Sequence, residues 1–203
     1  MIKNIIFDIG MVLVDFRYRD YIKDLGFDEE MTERICKAMP ENNTWDKLDR
    51  GDLELNEVIE LFKLQNPDLS DAIDLFWKDI SDIVRPFPNT RKWLSDLKDR
   101  GYKIYLLSNY PKEMFQTHWS SVFNFTDLVD GKVISSHINR MKPEKEIYMK
   151  LLSDYELNPD ECVFLDDRIK NTNAAQELGI RTITVSDQSS AIVELDKLLE
   201  NNR

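Results

Sequence analysis

Four short apolar runs divide the chain and predict the strands of a sheet. They span Asn4–Phe7, Lys103–Leu107, Cys162–Leu165 and Arg181–Val185, and each is rich in β-branched residues and is followed or ended by a polar one. Apolar runs of this length, without polar alternation, are typical of parallel strands buried on both faces. A weaker run at 130–135 is a candidate for one more strand.

Helical patterns lie between these runs. Apolar residues recur at helical spacing before Gly101 and again before Gly179, and both glycines are helix-stop signals. A third helical pattern includes Ile147, Tyr148 and Leu151. This alternation of strands and helices predicts an α/β fold, a Rossmann-like parallel sheet core with helices on both faces.

Residues 17–84 interrupt this alternation. No strand-like run occurs there, and amphipathic stretches are separated by turn signals such as Gly26, Gly51 and Asn66-Pro67. We therefore predict an all-helical insert of four or five helices after the first strand. The predicted core comprises residues 1–16 and 85–203, with hinges near Asp15-Phe16 and Arg85-Pro86.

Composition narrows the class of protein. A chain of 203 residues, 42% of them hydrophobic, is long enough for one domain with an insert. A net charge of −11 argues against a nucleic-acid partner. Cys36 and Cys162 are too few for a disulfide framework. No signal-peptide pattern and no run of about 20 apolar residues is present, so we expect a cytoplasmic protein without a membrane span. Oligomeric state is not predicted.

Polar residues suited to one kind of chemistry follow three of the predicted strands. The first strand is followed by Asp8, the second by Ser108-Asn109, and the third by Asp166-Asp167. In an open parallel sheet the ligand crevice lies at these carboxyl ends. Lys142 precedes Pro143, and proline at a first helical position would place this lysine at a helix start.

These residues are consistent with phosphoryl transfer to a carboxylate. A carboxylate that attacks a phosphate faces repulsion between anions, which a bridging Mg²⁺ ion removes. Asp166 and Asp167 could hold that ion opposite Asp8. Ser108 offers a hydroxyl and backbone N–H groups for the phosphate, and Lys142 offers a positive charge.

The ordered set of four motifs resembles that of the haloacid dehalogenase-like hydrolases over nearly the whole chain. The motifs are Asp8-Ile9-Gly10-Met11-Val12, Leu106-Leu107-Ser108-Asn109, Lys142-Pro143 and a fourth that begins at Asp166-Asp167 and extends to Asn171. The helical insert resembles the cap of that family.

The resemblance implies a role for each motif. Asp8 would be the nucleophile and a Mg²⁺ ligand, and the Gly10 backbone carbonyl would be a second ligand. Asp167 would be the main metal ligand of the fourth motif, with Asp166 beside it. Ser108 and Asn109 would hold the phosphate, and Lys142 would neutralise charge. The implied activity is Mg²⁺-dependent hydrolysis of a small phosphorylated metabolite through an aspartyl-phosphate.

Gly10 departs from the family pattern. Phosphatases of the family usually have at this position an aspartate that protonates the leaving oxygen, and glycine has no acid. The chain most resembles a subgroup with an Asp-x-Gly-x-Val first motif, which includes sugar-phosphate phosphatases. Without an acid, the rate should depend steeply on the acidity of the leaving group. Asp15 is a candidate substitute acid, and a positive φ is an alternative reason for glycine.

Two other functions are compatible with these residues. A metal-independent 2-haloacid dehalogenase would also use Asp8 as its nucleophile, although two adjacent acids in the fourth motif argue against it. A catalytically impaired binding module would explain Gly10 but not the retention of the other motifs. Arg17, Arg19 and Arg50 could reach the substrate from the insert, whereas His118 and His137 lack metal-ligand spacing.

Overall fold

The computed structural model of the chain describes residues 1–201, in which the main sheet is parallel and has five strands. Two further strands form a small antiparallel sheet. The strands in chain order are β1 (Asn4–Phe7), β2 (Val14–Phe16), β3 (Val84–Pro86), β4 (Lys103–Ser108), β5 (Gly131–Ile134), β6 (Cys162–Asp166) and β7 (Arg181–Thr184).

Eleven α-helices occur within residues 1–201, together with four short 3-10 helices. The α-helices are α1 (Tyr18–Asp24), α2 (Glu29–Ala38), α3 (Trp45–Arg50), α4 (Leu55–Gln65), α5 (Ser70–Trp77), α6 (Thr90–Asp99), α7 (Lys112–Ser121), α8 (Ser135–Ile138), α9 (Lys145–Asp154), α10 (Ile169–Gln176) and α11 (Gln188–Glu200).

The five apolar runs predicted as strands all form strands of the main sheet. The order β5-β4-β1-β6-β7 places β1 at the centre, paired in parallel with β4 and β6. The chain first builds one side of β1 and then returns to build the other, which makes the carboxyl end of β1 a topological switch point. Ligands bind at such points in open α/β sheets.

Helices cover both faces of the main sheet, as the alternation of strands and helices predicted. Ile5 and Phe7 of β1 pack with α6 and α11 on one face, and Ile6 packs with α9 and α10 on the other. Side chains of a strand alternate between its two faces, and both faces of β1 are apolar. This explains why its sequence is a continuous apolar run instead of an alternating one.

Helices α1 to α5 lie between β2 and β3. Their packing has an aromatic centre, where Trp45 stacks on Trp77 with 5.5 Å between ring centroids and also contacts Phe62 and Phe76. Phe62 and Phe76 are fully buried, and burying a side chain of this size stabilises a fold by about 1.5–3 kcal/mol.

The antiparallel pair β2–β3 joins this helical segment to the core. Val14 pairs with Pro86, and Phe16 pairs with Val84. The prediction that residues 17–84 contain no strand is therefore wrong at its last residue, Val84. The next two residues, Arg85 and Pro86, make this strand hard to recognise in the sequence, because proline is uncommon in strands except at the edge of a sheet.

Within residues 1–201, no helix is long and apolar enough to cross a membrane.

Candidate active site

A cavity of about 690 Å³ lies at the carboxyl ends of the central strands, beneath the helical segment. Its wall on the sheet side includes six of the residues that the motifs predicted. Its wall on the helical side is formed mainly by α3 and the loop before it. These residues include Asp8, Gly10, Ser108, Asn109, Lys142 and Asp167 on the sheet side, and Glu41, Asn42, Asn43, Trp45, Asp46 and Asp49 on the helical side.

Asp8 follows β1 directly and is held by three donors on one oxygen. Oδ1 accepts hydrogen bonds from the Ile9 backbone N–H at 2.7 Å and from Ser108 Oγ at 2.7 Å, and it lies 2.9 Å from Lys142 Nζ. No hydrogen bond from residues 1–201 reaches Oδ2. The carboxylate is thus fixed by one oxygen, and the other is left for chemistry in the cavity.

Lys142 is fully buried, and its ammonium group donates in three directions. Besides Asp8, Nζ contacts the Leu107 carbonyl at 2.8 Å and Asp166 Oδ2 at 2.7 Å. Burial disfavours the charged lysine, but the two carboxylates outweigh burial and raise its pKa. A permanent positive charge therefore stands beside Asp8.

The predicted helix start at Lys142 is wrong by a few residues. Lys142 and Pro143 lie in a turn, and α9 begins only at Lys145. The turn is held by Asn109, whose side chain accepts from the Lys142 N–H at 2.8 Å and donates to the Lys142 carbonyl at 3.1 Å. The Asn109 amide thus positions the lysine backbone.

The two adjacent acids of the fourth motif have different environments. Asp166 is fully buried and lies outside the cavity wall, and its two oxygens accept from Lys142 Nζ, the Arg168 N–H and Asn171 Nδ2. Asp167 is half-buried, lines the cavity, and makes no side-chain hydrogen bond with residues 1–201. Asp166 therefore positions Lys142, and Asp167 is the acid that is open to a ligand.

The donor set fits a divalent cation. One carboxylate oxygen from each of Asp8, Asp166 and Asp167 lies within 4.8 Å of the others, and Lys142 forms ion pairs with Asp8 and Asp166. Burial and the neighbouring Asp166 charge raise the pKa of Asp8 and of Asp167. Asn171 Oδ1 lines the same region and is buried without a hydrogen-bond partner in residues 1–201. These oxygens are ligands that Mg²⁺ and its bound waters favour.

Gly10 is not required by backbone conformation. Its φ lies outside the left-handed region, and a Cβ added there would meet no atom within 4 Å. The positive φ in this turn belongs to Met11, at 58°. The alternative explanation for glycine at this position is therefore wrong, and a side chain would fit.

Several other candidates lie away from the cavity. Asp15 is not part of its wall, although its neighbours Val14 and Phe16 are, because alternate residues of β2 point in opposite directions. The three arginines of the insert are paired with acids: Arg17 with Asp24, Arg19 with Glu33 and Glu41, and Arg50 with Glu144 and Asp52.

The two histidines are also outside the wall. His118 is buried, accepts from the Tyr110 hydroxyl and donates to the Ile80 carbonyl, so its ring is used in packing the core. His137 packs edge-on against Phe115.

Four charged residues that line the cavity were given no role from the sequence, although two of them lie within the fourth motif. Asp46 and Asp49 come from the helical segment, and Arg168 and Lys170 lie exposed at the rim near the start of α10. Asp46 and Asp49 are three apart in a helix, the spacing that places side chains on one face, but acidic pairs of this kind are common on solvated helices.

Comparisons with known proteins identify relatives across the whole chain. The sequence profile of the haloacid dehalogenase-like hydrolases matches residues 2–179. D-ribitol-5-phosphate phosphatase from Bacteroides thetaiotaomicron is 29% identical over 217 aligned residues, which cover 99% of this chain and 100% of that protein. Sesquiterpene phosphatase astK from Aspergillus oryzae is 25% identical and covers 97% of this chain and 96% of that protein.

Solved structures with the same fold include a HAD family enzyme from Bacteroides thetaiotaomicron in complex with magnesium and inorganic phosphate. It has a TM-score of 0.71 at 25% identity, covering 91% of this chain and 94% of that one. L-2-haloacid dehalogenase from Xanthobacter autotrophicus has a TM-score of 0.65 at 18% identity, covering 90% and 76%.

Proposed function

The chain belongs to the haloacid dehalogenase-like hydrolases, and from this premise we propose that it is a Mg²⁺-dependent phosphatase of small phosphorylated metabolites. The observation that carries the proposal is the state of Asp8. Its Oδ1 is held by the Ile9 N–H, Ser108 and Lys142, and its Oδ2 has no hydrogen-bond partner in residues 1–201. A carboxylate that is fixed at one oxygen and free at the other is oriented for in-line attack.

In the first proposed step, Asp8 Oδ2 attacks the phosphorus of the bound ester and the bond to the leaving oxygen breaks. The product is an aspartyl-phosphate, which water hydrolyses in a second step to regenerate the carboxylate. Lys142 offsets negative charge next to the reacting oxygen, and Ser108 keeps the carboxylate oriented. Asp166 acts through Lys142, which it holds by a hydrogen bond of 2.7 Å.

Asp8, the Gly10 carbonyl and Asp167 would hold the Mg²⁺ ion, and Asn171 Oδ1 would accept a hydrogen bond from one of its waters. The ion supplies positive charge that reduces the repulsion between the nucleophile and the phosphate. The Gly10 carbonyl lies in the cavity wall and accepts no hydrogen bond from residues 1–201, which leaves it open to a cation.

We further propose that residues 17–84 act as a cap that recognises the part of the substrate beyond the phosphate. This wall carries Asn42, Asn43 and Asp46 beside the indole of Trp45. Amide and carboxylate groups bind hydroxyls, and an aromatic ring packs on the C–H face of a sugar or polyol. The wall therefore supports a polyhydroxylated phosphate ester, the substrate class to which the ribitol phosphate of one relative also belongs.

The dehalogenase alternative has less support. Its structural likeness to this chain, at 18% identity, concerns the fold alone. Asp167 lies open in the cavity without a hydrogen-bond partner in residues 1–201, which suits a cation and has no purpose in a metal-independent displacement of halide.

The test is a screen of phosphorylated metabolites with the full chain, in Mg²⁺ and in EDTA. We expect phosphate release that requires Mg²⁺ and that favours sugar and polyol phosphates. Turnover of 2-chloropropionate in EDTA, without phosphate release from any ester in Mg²⁺, would contradict the proposal.

A matched pair of variants tests the nucleophile. Asp8→Asn should lower kcat below detection for every substrate, because an amide cannot form the phosphoenzyme. Asp15→Asn makes the same change seven residues away and outside the cavity, so it should retain most of the activity. Equal activity of the two variants would rule out the covalent mechanism.

A further inference from the structure

The site as described lacks a group that protonates the leaving oxygen. An alkoxide is a poor leaving group, and general acid help is typically worth about 10²–10⁴ in rate. Gly10 has no acid, and Asp15 is outside the cavity wall. We propose that Asp49, at the end of α3 in the helical wall, is the general acid of the phosphatase reaction; this inference rests on the proposed function.

The first support is position. Asp49 lines the same cavity as Asp8 and belongs to its helical wall, whereas Asp8 belongs to the sheet-side wall, so a substrate bound between the walls can meet both side chains. Its carboxyl makes no hydrogen bond and no ion pair with residues 1–201, so both oxygens are available to substrate.

The second support is that the backbone at Asp49 is fixed to the core. The Asp49 carbonyl accepts a hydrogen bond from Ser135 Oγ, which itself accepts from the Tyr110 N–H at 2.9 Å. Two residues on, the Gly51 carbonyl accepts from Asn139 Nδ2 at 2.7 Å. A proton donor must be placed to within a few tenths of an ångström, and these bonds tie α3 to the core that carries Asp8.

The third support is selection among the acids of this wall. Glu41 already accepts hydrogen bonds from Tyr18 and Arg19, and both Glu41 and Asp46 are exposed. Asp49 is the partly buried acid of the three. Water competes less for a carboxyl in such a position, so its proton is directed to the substrate.

The electrostatic surroundings agree with this position. Burial, together with the Asp46 and Asp8 charges, raises the pKa of Asp49 to about 7, against the opposing effect of Arg168 and Lys142. A carboxyl with a pKa near neutrality is protonated in a useful fraction of molecules and is still acidic enough to give up its proton.

The protons of both steps balance. As the bond from phosphorus to the leaving oxygen breaks, that oxygen takes the proton of Asp49 and departs as an alcohol, and Asp49 becomes a carboxylate. In the second step Asp49 accepts a proton from the water that attacks the aspartyl-phosphate. Phosphate leaves, Asp8 is again a carboxylate, and Asp49 is again protonated.

The experiment measures log kcat/KM against the pKa of the leaving group, over a series from nitrophenyl phosphates to glycerol phosphate in saturating Mg²⁺. The native protein should give a shallow line. Asp49→Asn should give a steep line, with a loss of about 10²–10⁴ for alkyl phosphates and little loss for the most acidic phenols. Asp71→Asn, which makes the same change at an exposed position of α5 outside the cavity wall, should keep the shallow line.

The outcomes separate the two proposals. A steep native line, or an equal loss for all leaving groups in Asp49→Asn, would overturn the role of Asp49 while Mg²⁺-dependent hydrolysis through Asp8 still held. No hydrolysis of any ester by the native protein would overturn both. If the asparagine variant does not fold, Asp49→Ala repeats the test. The slope measured for the native protein tests the proposal without any variant.

Discussion

The two walls of the cavity differ in how far their polar groups are already paired. On the sheet side, Lys142 donates to three acceptors, and Asp166 accepts from three different residues. On the helical side, Glu41 accepts from Tyr18 and Arg19, but Asp46 and Asp49 make no side-chain hydrogen bond with residues 1–201, although both line the cavity.

This difference corresponds to two tasks. The nucleophile and its charge partner must be held in one geometry before the substrate arrives, and a buried charge is tolerated only when it is paired and hydrogen-bonded. Groups that recognise a substrate must have free hydrogen-bonding capacity, and they keep it at little cost because they face a solvated cavity. The sheet wall therefore suits the phosphoryl transfer, and the helical wall suits substrate recognition and proton transfer.

The largest effect should follow from breaking the paired wall at Lys142. Lys142→Met keeps the length of the side chain but leaves Asp8 and Asp166 buried without a cation, and such a change costs about 3–5 kcal/mol. The measurement is the free energy of unfolding from urea titration in EDTA. Asp46→Asn on the unpaired wall should change it by less than about 0.5 kcal/mol.

The pH dependence of the Lys142→Met deficit sharpens this test. Lys142 lowers the pKa of Asp8, which burial has raised, so without the lysine the folded-state pKa of Asp8 rises further above the unfolded value and the folded state binds protons more readily. Such groups destabilise the fold at high pH, and the destabilisation shrinks as pH falls toward the unfolded pKa of about 4. A deficit that stays constant between about pH 8 and pH 5 would contradict a charge-pairing role for Lys142.

A pair of glycine substitutions compares the backbone at the end of α3, where Gly51 lies, with the turn after Asp8, where Gly10 lies. Gly51→Ala should destabilise the fold by about 2 kcal/mol or more, because φ is +77° and the new Cβ would lie 2.5 Å from the Ser136 carbonyl oxygen. Gly10→Ala should be neutral or stabilising by up to about 1 kcal/mol, because its φ is ordinary and the space is open. Thermal unfolding of both variants checks this order, and equal losses would contradict it.

The smallest effect concerns the ion pair between Arg50, at the end of α3, and Glu144, just before α9. Both side chains are about 30% exposed, so their coupling energy should not exceed about 1 kcal/mol. A double-mutant cycle with Arg50→Gln and Glu144→Gln measures it. In the single variants we expect KM to rise more than kcat falls, because the ion pair holds the substrate-recognising wall on the core. An unchanged KM would mean that the backbone hydrogen bonds hold this wall without the ion pair.

The sequence by itself determined the sheet and most of the sheet-side wall. A strand buried on both faces must be a continuous apolar run, and the residues that follow parallel strands meet at one edge. For this reason Asp8, Ser108, Asn109, Lys142 and Asp167 could be expected together from their order alone, and the structure lines one cavity with them. Strand β3 was not predicted, because it is short and contains a proline, which is uncommon in strands except at sheet edges.

Only the tertiary structure decided what distinguishes neighbours in the chain. Asp166 and Asp167 have the same side chain, but one is saturated by hydrogen bonds under the floor of the cavity and the other is open. Gly10 proved free of backbone constraint, and Asp15 lies outside the wall. Asp49 became a candidate acid only when the fold placed it in the same cavity as Asp8, because bringing together two segments about forty residues apart depends on packing and leaves no local pattern in the sequence.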